Sequence, residues 1–162
     1  MSLSSRSGGI VIAFTFLIAL MLTILPLPEW AQILRPQWHT LVLIYWILAL
    51  PQRVGVGVGW LIGILVDVMT GTLLGQHALS LALIAYITQE THLRVRLFPL
   101  WQQSLSVLML LQIEKVLSFW VMGAVSLPTP TLGYWIPPLV GMLLWPWLYI
   151  VLRDLRRKFD VR

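Results

Sequence analysis

The segment VGVGVGWLIGILVDV, residues 54–68, decides the class of fold. It is apolar throughout except for one carboxylate, Asp67, and it carries glycine at positions 55, 57, 59 and 63. Continued to residue 74, it is long enough to cross a bilayer as a helix, which needs about 20 apolar residues. A charge at the bilayer centre costs roughly 2.5–3.5 kcal/mol. We therefore expect Asp67 to face the interior of a protein bundle and not lipid.

The composition of the whole chain also indicates a membrane protein. The 162 residues are 59% hydrophobic and only 10% charged, whereas a soluble domain carries roughly a quarter charged residues. The mean hydropathy is +0.87, and the nine tryptophans fit a membrane interface. The sequence has no cysteine, which excludes disulfides, thiol catalysis and thiolate metal ligands.

Hydropathy predicts six membrane spans within a single integral membrane domain, residues 1–162. Their approximate bounds are 9–28, 37–51, 54–74, 76–90, 98–126 and 133–152. For the first span, a cleaved signal peptide is the alternative. The second span is short for a full crossing, so a re-entrant segment is its alternative.

Positive charge orients these spans. If both termini are cytoplasmic, the only basic residue in the outer loops is Arg35. The cytoplasmic segments then hold Arg6, Arg53, Arg94, Arg96, Arg153, Arg156, Arg157, Lys158 and Arg162. This asymmetry is what the positive-inside rule requires. The predicted fold class is therefore an all-α membrane protein, a bundle of six transmembrane helices with both termini cytoplasmic.

The basic tail, residues 153–162, is predicted to contact membrane lipid at the cytoplasmic surface. Nucleic-acid binding is the rival interpretation, but one short basic patch is thin evidence for it. No nucleic-acid partner is expected.

Three charged residues lie well inside the predicted spans, away from their ends: Asp67, Glu114 and Lys115. Asp67 and Lys115 are predicted to lie at similar depths in the membrane. An ion pair between them is therefore geometrically possible. Glu114 and Lys115 point about 100° apart on their helix, so they cannot share one contact direction. Structural contacts between helices, a ligand or partner contact, and a proton pathway are the alternatives for these groups.

Gly55, Gly59 and Gly63 are spaced by four, so they fall on one stripe of a helix. Small residues at that spacing let a second helix approach closely. Asp67 continues the same series one turn further on, which places it on the packed face. A phosphate-binding loop is a poor interpretation of GVGVG because no lysine or serine of that motif follows.

The sequence offers little for catalysis. His39, His77 and His92 are scattered, and their spacing to acids is not that of a metal site. Asp67 and Glu114 could form an intramembrane acid pair only by sharing a proton, which the neighbouring Lys115 disfavours. We expect no catalytic residue, no metal site and no cofactor.

Three stretches of the chain resemble the MreD family of rod shape-determining membrane proteins from Gram-negative bacteria. They are RPQW (35–38), YWILALPQRVGVGVGWLIGILVDVMTGTLLGQHAL (45–79) and LWPWLYIVLRDLRR (144–157). The matching positions are Arg35, Pro36, Trp38, Pro51, Arg53, Gly57, Gly63, Asp67, Gly71, Leu74 and Gly75. The pair Glu114–Lys115 is not part of the family pattern.

The resemblance implies a non-enzymatic inner-membrane protein of the cell-elongation machinery. Such proteins bind the bitopic protein MreC and, through it, the MreB filament and the RodA–penicillin-binding-protein 2 synthase. The resemblance also implies a fold similar to the substrate-binding subunits of energy-coupling-factor transporters. That likeness leaves a small-molecule or lipid-binding transport subunit as the alternative, and a pocket reaching Asp67 would favour it.

The residues expected to contact a partner or line a pocket come from three parts of the chain. They are Arg35, Trp38, Arg53, Gly55, Gly59, Gly63, Asp67, Glu114 and Lys115. Arg53 is expected to fix the inner turn between the second and third spans. Arg35 and Trp38 are expected to form a periplasmic contact, with an ordinary interfacial anchor as the alternative.

Overall fold

A computed structural model describes residues 3–126, 128 and 132–161. The side chain of Arg6, half of the predicted outer loop 126–133, and Arg162 lie outside the described residues. The regular structure of the described residues is helical, with no strand among them, which confirms the all-α prediction. The helices are α1 Leu3–Ile24, α2 Glu29–Gln32, α3 Trp38–Ala49, α4 Val56–Thr70, α5 Gln76–Leu97, α6 Leu100–Ala124 and α7 Pro137–Lys158, with a short 3-10 helix at Leu132–Trp135 before α7.

Proline and glycine set several helix ends. α6 begins directly after Pro99, and α7 begins at Pro137, where a missing backbone N–H costs the helix nothing. α4 ends at Gly71, whose φ is 69°, and α5 follows Gly75, whose φ is 101°. Both angles lie in the left-handed region that glycine adopts without steric penalty.

Helix α3 forms the centre of the bundle. Every residue from His39 to Leu48 is buried, and α1, α5, α6 and α7 pack around it. A helix that is apolar on all sides is a buried helix. Its 12 residues are short for a bilayer crossing, but α3 contacts protein on every side and need not match the thickness of the lipid. The indole N–H of Trp46 donates to Thr15 Oγ1 at 2.8 Å and joins α3 to α1.

Helices α4 and α5 form the closest helix pair, and the glycines of α4 make that approach feasible. A Cβ atom placed on Gly59 would lie 2.9 Å from the carbonyl oxygen of Leu81, and one on Gly63 would collide with the backbone of Ala78. The close approach expected from the glycine spacing therefore occurs against α5.

Among the residues that the structure describes, two helical segments are long and apolar enough to cross a membrane, Leu100–Ala124 and Leu132–Lys158. Helices α1, α3 and α4 contain shorter apolar stretches. Helix α5 runs to Leu97, beyond the predicted end at residue 90, and carries Arg94 and Arg96 in its last turn. Positive charge is favourable there because of the helix dipole.

Candidate functional site

The carboxylate of Glu114 lies inside the bundle, where α6 meets the first turn of α3. Its residue is only 2% exposed. Gln37 Nε2 and Thr40 Oγ1 each donate a hydrogen bond of 2.6 Å to Glu114 Oε2. His39 Nε2 lies 3.4 Å from the other carboxylate oxygen, Oε1. Three side chains at the start of α3 therefore compensate one buried acid of α6, as a buried charge requires.

The carboxylate of Asp67 receives donors from the start of the next helix, α5. The backbone N–H groups of Gly75 and His77 donate to it at 2.9 and 3.0 Å. Thr72 Oγ1 donates at 2.8 Å, and His77 Nδ1 lies 2.8 Å away. An acid near the first backbone N–H groups of a helix satisfies donors that have no intrahelical partner. Asp67, which is 1% exposed, thus holds the N-terminus of α5 against the end of α4.

The two acid clusters adjoin through their histidines. The rings of His39 and His77 meet edge to face, with centroids 6.0 Å apart. The sequence suggested scattered histidines, but the fold brings these two together because α3 and α5 pack side by side. His92 lies elsewhere, with Nδ1 2.5 Å from the carbonyl oxygen of Gln89. Within the part of the chain that the structure describes, no three acids or histidines have the arrangement of a metal site.

An open polar cavity of about 360 Å³ lies beside these clusters. The polar side chains that matter most for its chemistry are Arg35, Gln37, His39, His77, Glu114 and Lys115. Gln37 Oε1 is buried there and has no hydrogen-bond partner among the described residues. Asp67 does not line the cavity, because Thr72 and His77 stand in front of it.

The pairing of Asp67 with Lys115 that the span heights allowed is wrong. Asp67 is engaged by His77, whereas the Lys115 ammonium lies 4.3 Å from the centroid of the Tyr134 ring. The Tyr134 hydroxyl donates at 3.1 Å to the carbonyl oxygen of Lys115, which ties the 3-10 helix to α6. Glu114 and Lys115 do point to different partners, as their adjacent positions on a helix demand.

Comparisons with known proteins establish the family. The family model described as rod shape-determining protein MreD matches residues 5–155 of this chain. The chain is also 39% identical, over 146 residues, to a Haemophilus influenzae protein named rod shape-determining protein MreD, and the match covers 88% of each chain. The chain belongs to the MreD family. No solved structure gives a significant match, so the resemblance to energy-coupling-factor subunits stays a prediction.

The residues predicted to form a site in this MreD-family chain occupy several separate places. Arg35, Glu114 and Lys115 line the polar cavity, and Asp67 adjoins it through His77. The Arg35 guanidinium donates to the carbonyl oxygens of Thr23 and Leu25, so it caps the end of α1.

Trp38 lies apart from the cavity. It packs against the hydrophobic core and lines an apolar groove between α1, α3 and α7. The fold therefore gives Arg35 and Trp38 different surroundings, although they are three positions apart in the sequence.

Arg53 and the glycines of α4 also lie apart from the cavity. A Cβ atom on Gly8 would meet the guanidinium of Arg53, which places Arg53 against the start of α1. Gly55 faces the side chain of Gln89, and Gly59 and Gly63 face the backbone of α5. In addition, Gln89 Nε2 donates to the carbonyl oxygen of Pro51 at 3.1 Å. Arg53, Gly55 and Gln89 therefore lie where the turn after α3 meets α1 and α5, whereas Gly59 and Gly63 hold α4 against α5.

Sequence reasoning missed five polar members of the site in this MreD-family chain. They are Gln37, His39, Thr40, His77 and Tyr134. One signal was present in the sequence, since Gln37, His39 and Thr40 cluster at the start of an otherwise apolar helix. Polar groups inside a membrane bundle must find partners, so this cluster implied an acid opposite it.

Proposed function

We propose that this protein is a non-enzymatic scaffold of the cell-elongation machinery in the bacterial inner membrane. It binds an MreC-like bitopic protein and, through that partner, the MreB filament and the RodA–penicillin-binding-protein 2 synthase. In this way it supports peptidoglycan synthesis along the cell wall. Membership of the MreD family, whose description names rod-shape determination, supports this function. The use of the buried acids to fix helix ends also favours a structural role.

In this proposal the chain is one domain, residues 1–162, with six spans and both termini in the cytoplasm. Several basic side chains meet at a single end of the bundle, which supports the arrangement. Arg53 lies against the start of α1, and Arg96 and Arg156 line one cavity between α3, α5, α6 and α7. Arg35 lies at the other end, beside the polar cavity. By the positive-inside rule, the end that carries more basic residues faces the cytoplasm.

Gly59 and Gly63 of α4 do not suit a partner helix, because α5 already covers them. A different pair of small residues, Gly9 and Ala13, is exposed on α1 at a spacing of four. Such pairs allow close packing of helices in lipid, where apolar side chains alone give no preference for protein over acyl chains. We therefore assign the partner contact to α1.

An open groove of about 520 Å³ accompanies these small residues between α1 and α4. Phe16 and Leu20 line it from α1, and Leu61 and Leu65 line it from α4. A transmembrane helix of the MreC-like partner is the proposed occupant, with Ala13 at the point of closest approach. This groove is the single observation that carries the assignment of the contact surface.

The test is affinity capture of the full chain from native membranes, with bound proteins and lipids identified by mass spectrometry. The wild-type chain is expected to recover an MreC-like protein together with bulk lipid. Ala13→Trp, which fills the groove, is expected to reduce recovery of that protein by about tenfold or more, the equivalent of roughly 1.4 kcal/mol. Met109→Trp is the matched control because Met109 is 68% exposed on α6 and does not line the groove.

Two results would contradict the proposal. Recovery of a stoichiometric small molecule with transporter ATPase subunits, and no MreC-like protein, would favour a transport subunit. Equal recovery of the partner by Ala13→Trp and Met109→Trp would show that the groove is not the contact surface, even if the partner itself is correct.

A further inference from the structure

A second, smaller cavity lies at the basic end of the bundle, away from the polar cavity described above. Its volume is about 90 Å³. The side chains that give it polar character are Tyr45 from α3, Arg96 from α5, Gln103 from α6, and Tyr149 and Arg156 from α7. Four helices therefore contribute to one small polar space, and no part of the proposed scaffold function uses it.

The strongest donors around this cavity have no protein partner. Within the described residues, the guanidinium groups of Arg96 and Arg156 make no hydrogen bond and no ion pair. The Tyr45 residue is only 2% exposed, yet its hydroxyl likewise makes no hydrogen bond to a described residue. Arg96 is exposed and Arg156 is half-buried, so these donors are open to solvent and to ligands. Donors without a protein partner around one cavity are therefore available to an acceptor from outside the chain.

Gln103, unlike Arg96 and Arg156, makes hydrogen bonds within the protein, and these position the helices that carry the two arginines. Its Nε2 donates to the carbonyl oxygen of Val95 at 3.1 Å, at the end of α5. Its Oε1 accepts a hydrogen bond of 3.3 Å from the indole N–H of Trp145. The amide thus fixes α5 against α7, and so sets the separation of the two helices that carry Arg96 and Arg156.

The electrostatics of the cavity favour an anion. No acidic side chain lines it among the residues that the structure describes. Besides Arg156, the guanidinium groups of Arg153 and Arg157 lie near enough to Tyr45 to act on its hydroxyl. Asp154 lies 3.7 Å from Arg153, and Asp160 lines a neighbouring pocket together with Arg156 and Arg157. The four arginines at this end outnumber these two acids, and an excess of cations raises the local concentration of anions.

We propose that this cavity binds a phosphate group, held by Arg96 and Arg156 and by the hydroxyl of Tyr45. A water molecule needs only about 10–15 Å³ of such space, so the cavity has room for a group of several non-hydrogen atoms. Guanidinium groups match phosphate oxygens with paired N–H donors. The phosphate belongs either to an inner-leaflet phospholipid or to a soluble phosphorylated molecule, and both sources present the same chemistry to the cavity.

The experiment uses the full chain, purified in detergent and depleted of lipid. One arm titrates inorganic phosphate by calorimetry. The other arm places the protein in nanodiscs of phosphatidylcholine with or without phosphatidylglycerol and counts retained lipids by native mass spectrometry. Arg96→Gln and Arg156→Gln each remove one charge from the cavity. Arg94→Gln and Lys158→Gln remove the same charge from residues that do not line it.

Saturable binding that Arg96→Gln and Arg156→Gln weaken about ten- to a hundredfold, the usual effect of losing a charged hydrogen bond, would support the site. The two controls should change affinity by less than about threefold. Tyr45→Phe, which removes only the hydroxyl, should weaken binding about three- to tenfold. Binding in the lipid arm alone assigns the site to a phospholipid, and binding of inorganic phosphate assigns it to a soluble ligand.

Absence of saturable binding in both arms would overturn the proposal. Equal losses in all four charge-removing variants would also overturn it, because they would indicate an effect of general surface charge. Neither arm contains a partner protein. Failure of this proposal is therefore distinguishable from failure of the scaffold function.

Discussion

Replacement of Asp67 is the sharpest test of how this bundle is held together. The carboxylate accepts four hydrogen bonds of 3.0 Å or less, from Thr72 Oγ1, the backbone of Gly75, and the backbone and ring of His77. At about 1 kcal/mol each, their loss in Asp67→Ala destabilises the fold by about 4 kcal/mol. Polar contacts measured inside membranes average nearer 0.6 kcal/mol, which lowers the estimate to about 2.4 kcal/mol. We therefore expect a loss of about 2–4 kcal/mol.

The assay is equilibrium unfolding in mixed micelles, followed by helical signal, for three variants. Asp67→Asn keeps one acceptor oxygen and so should lose about half as much as Asp67→Ala, roughly 1–2 kcal/mol. Asp154→Ala is the matched control, because the Asp154 side chain is 65% exposed and such changes usually stay within about 0.5 kcal/mol. Hydrogen exchange should also rise over the first turn of α5 in Asp67→Ala, since that turn loses its acceptor.

The reasoning fails if Asp67→Ala unfolds within about 0.5 kcal/mol of the wild-type chain. Loss of partner capture at unchanged stability would likewise contradict it, and would make Asp67 a contact residue.

Two further substitutions follow from the packing. Gly63→Ala should lower the free energy of unfolding by about 1–3 kcal/mol, because the new Cβ meets the backbone of Ala78. Gly57→Ala has open space and should be neutral or stabilising by up to about 1 kcal/mol. Thermal unfolding in detergent compares the two variants, and equal effects would refute the α4–α5 contact. Glu114→Ala should lower the free energy of unfolding by about 2–4 kcal/mol in the same assay, because the donors of Gln37 and Thr40 lose their acceptor. Glu114→Gln should fall between Glu114→Ala and the wild-type chain, and an unchanged melting temperature for Glu114→Ala would contradict the buried network.

Much of the helical framework was predictable, and the reason is local. The all-α class followed from hydropathy, and proline and glycine placed helix ends near the positions that the structure gives. The spacing of Gly59 and Gly63 indicated a close helix contact, which the structure places against α5. These features depend on residues within a few turns of one another.

The site was predictable only in part. The sequence identified Asp67, Glu114 and Lys115 as candidates, because charged groups are rare in apolar segments. It did not identify the side chains that contact them. The Asp67–Lys115 pair fitted the heights along the two helices. It was wrong because helix rotation, which height does not report, turns Asp67 toward His77 and Lys115 toward Tyr134. His39 and His77 were treated as scattered for the same reason.

The sequence by itself determined that this protein folds in a membrane and that its secondary structure is helical. A chain with 10% charged residues cannot cover a water-facing surface, and continuous apolar runs form helices whatever their neighbours are. Only the tertiary structure decided that α3 is central, that α5 covers Gly59 and Gly63, and that Glu114 receives donors from residues more than seventy positions away. The physical reason is that hydrophobic burial has no direction, whereas a hydrogen bond forms only when packing brings donor and acceptor to about 3 Å in the right orientation.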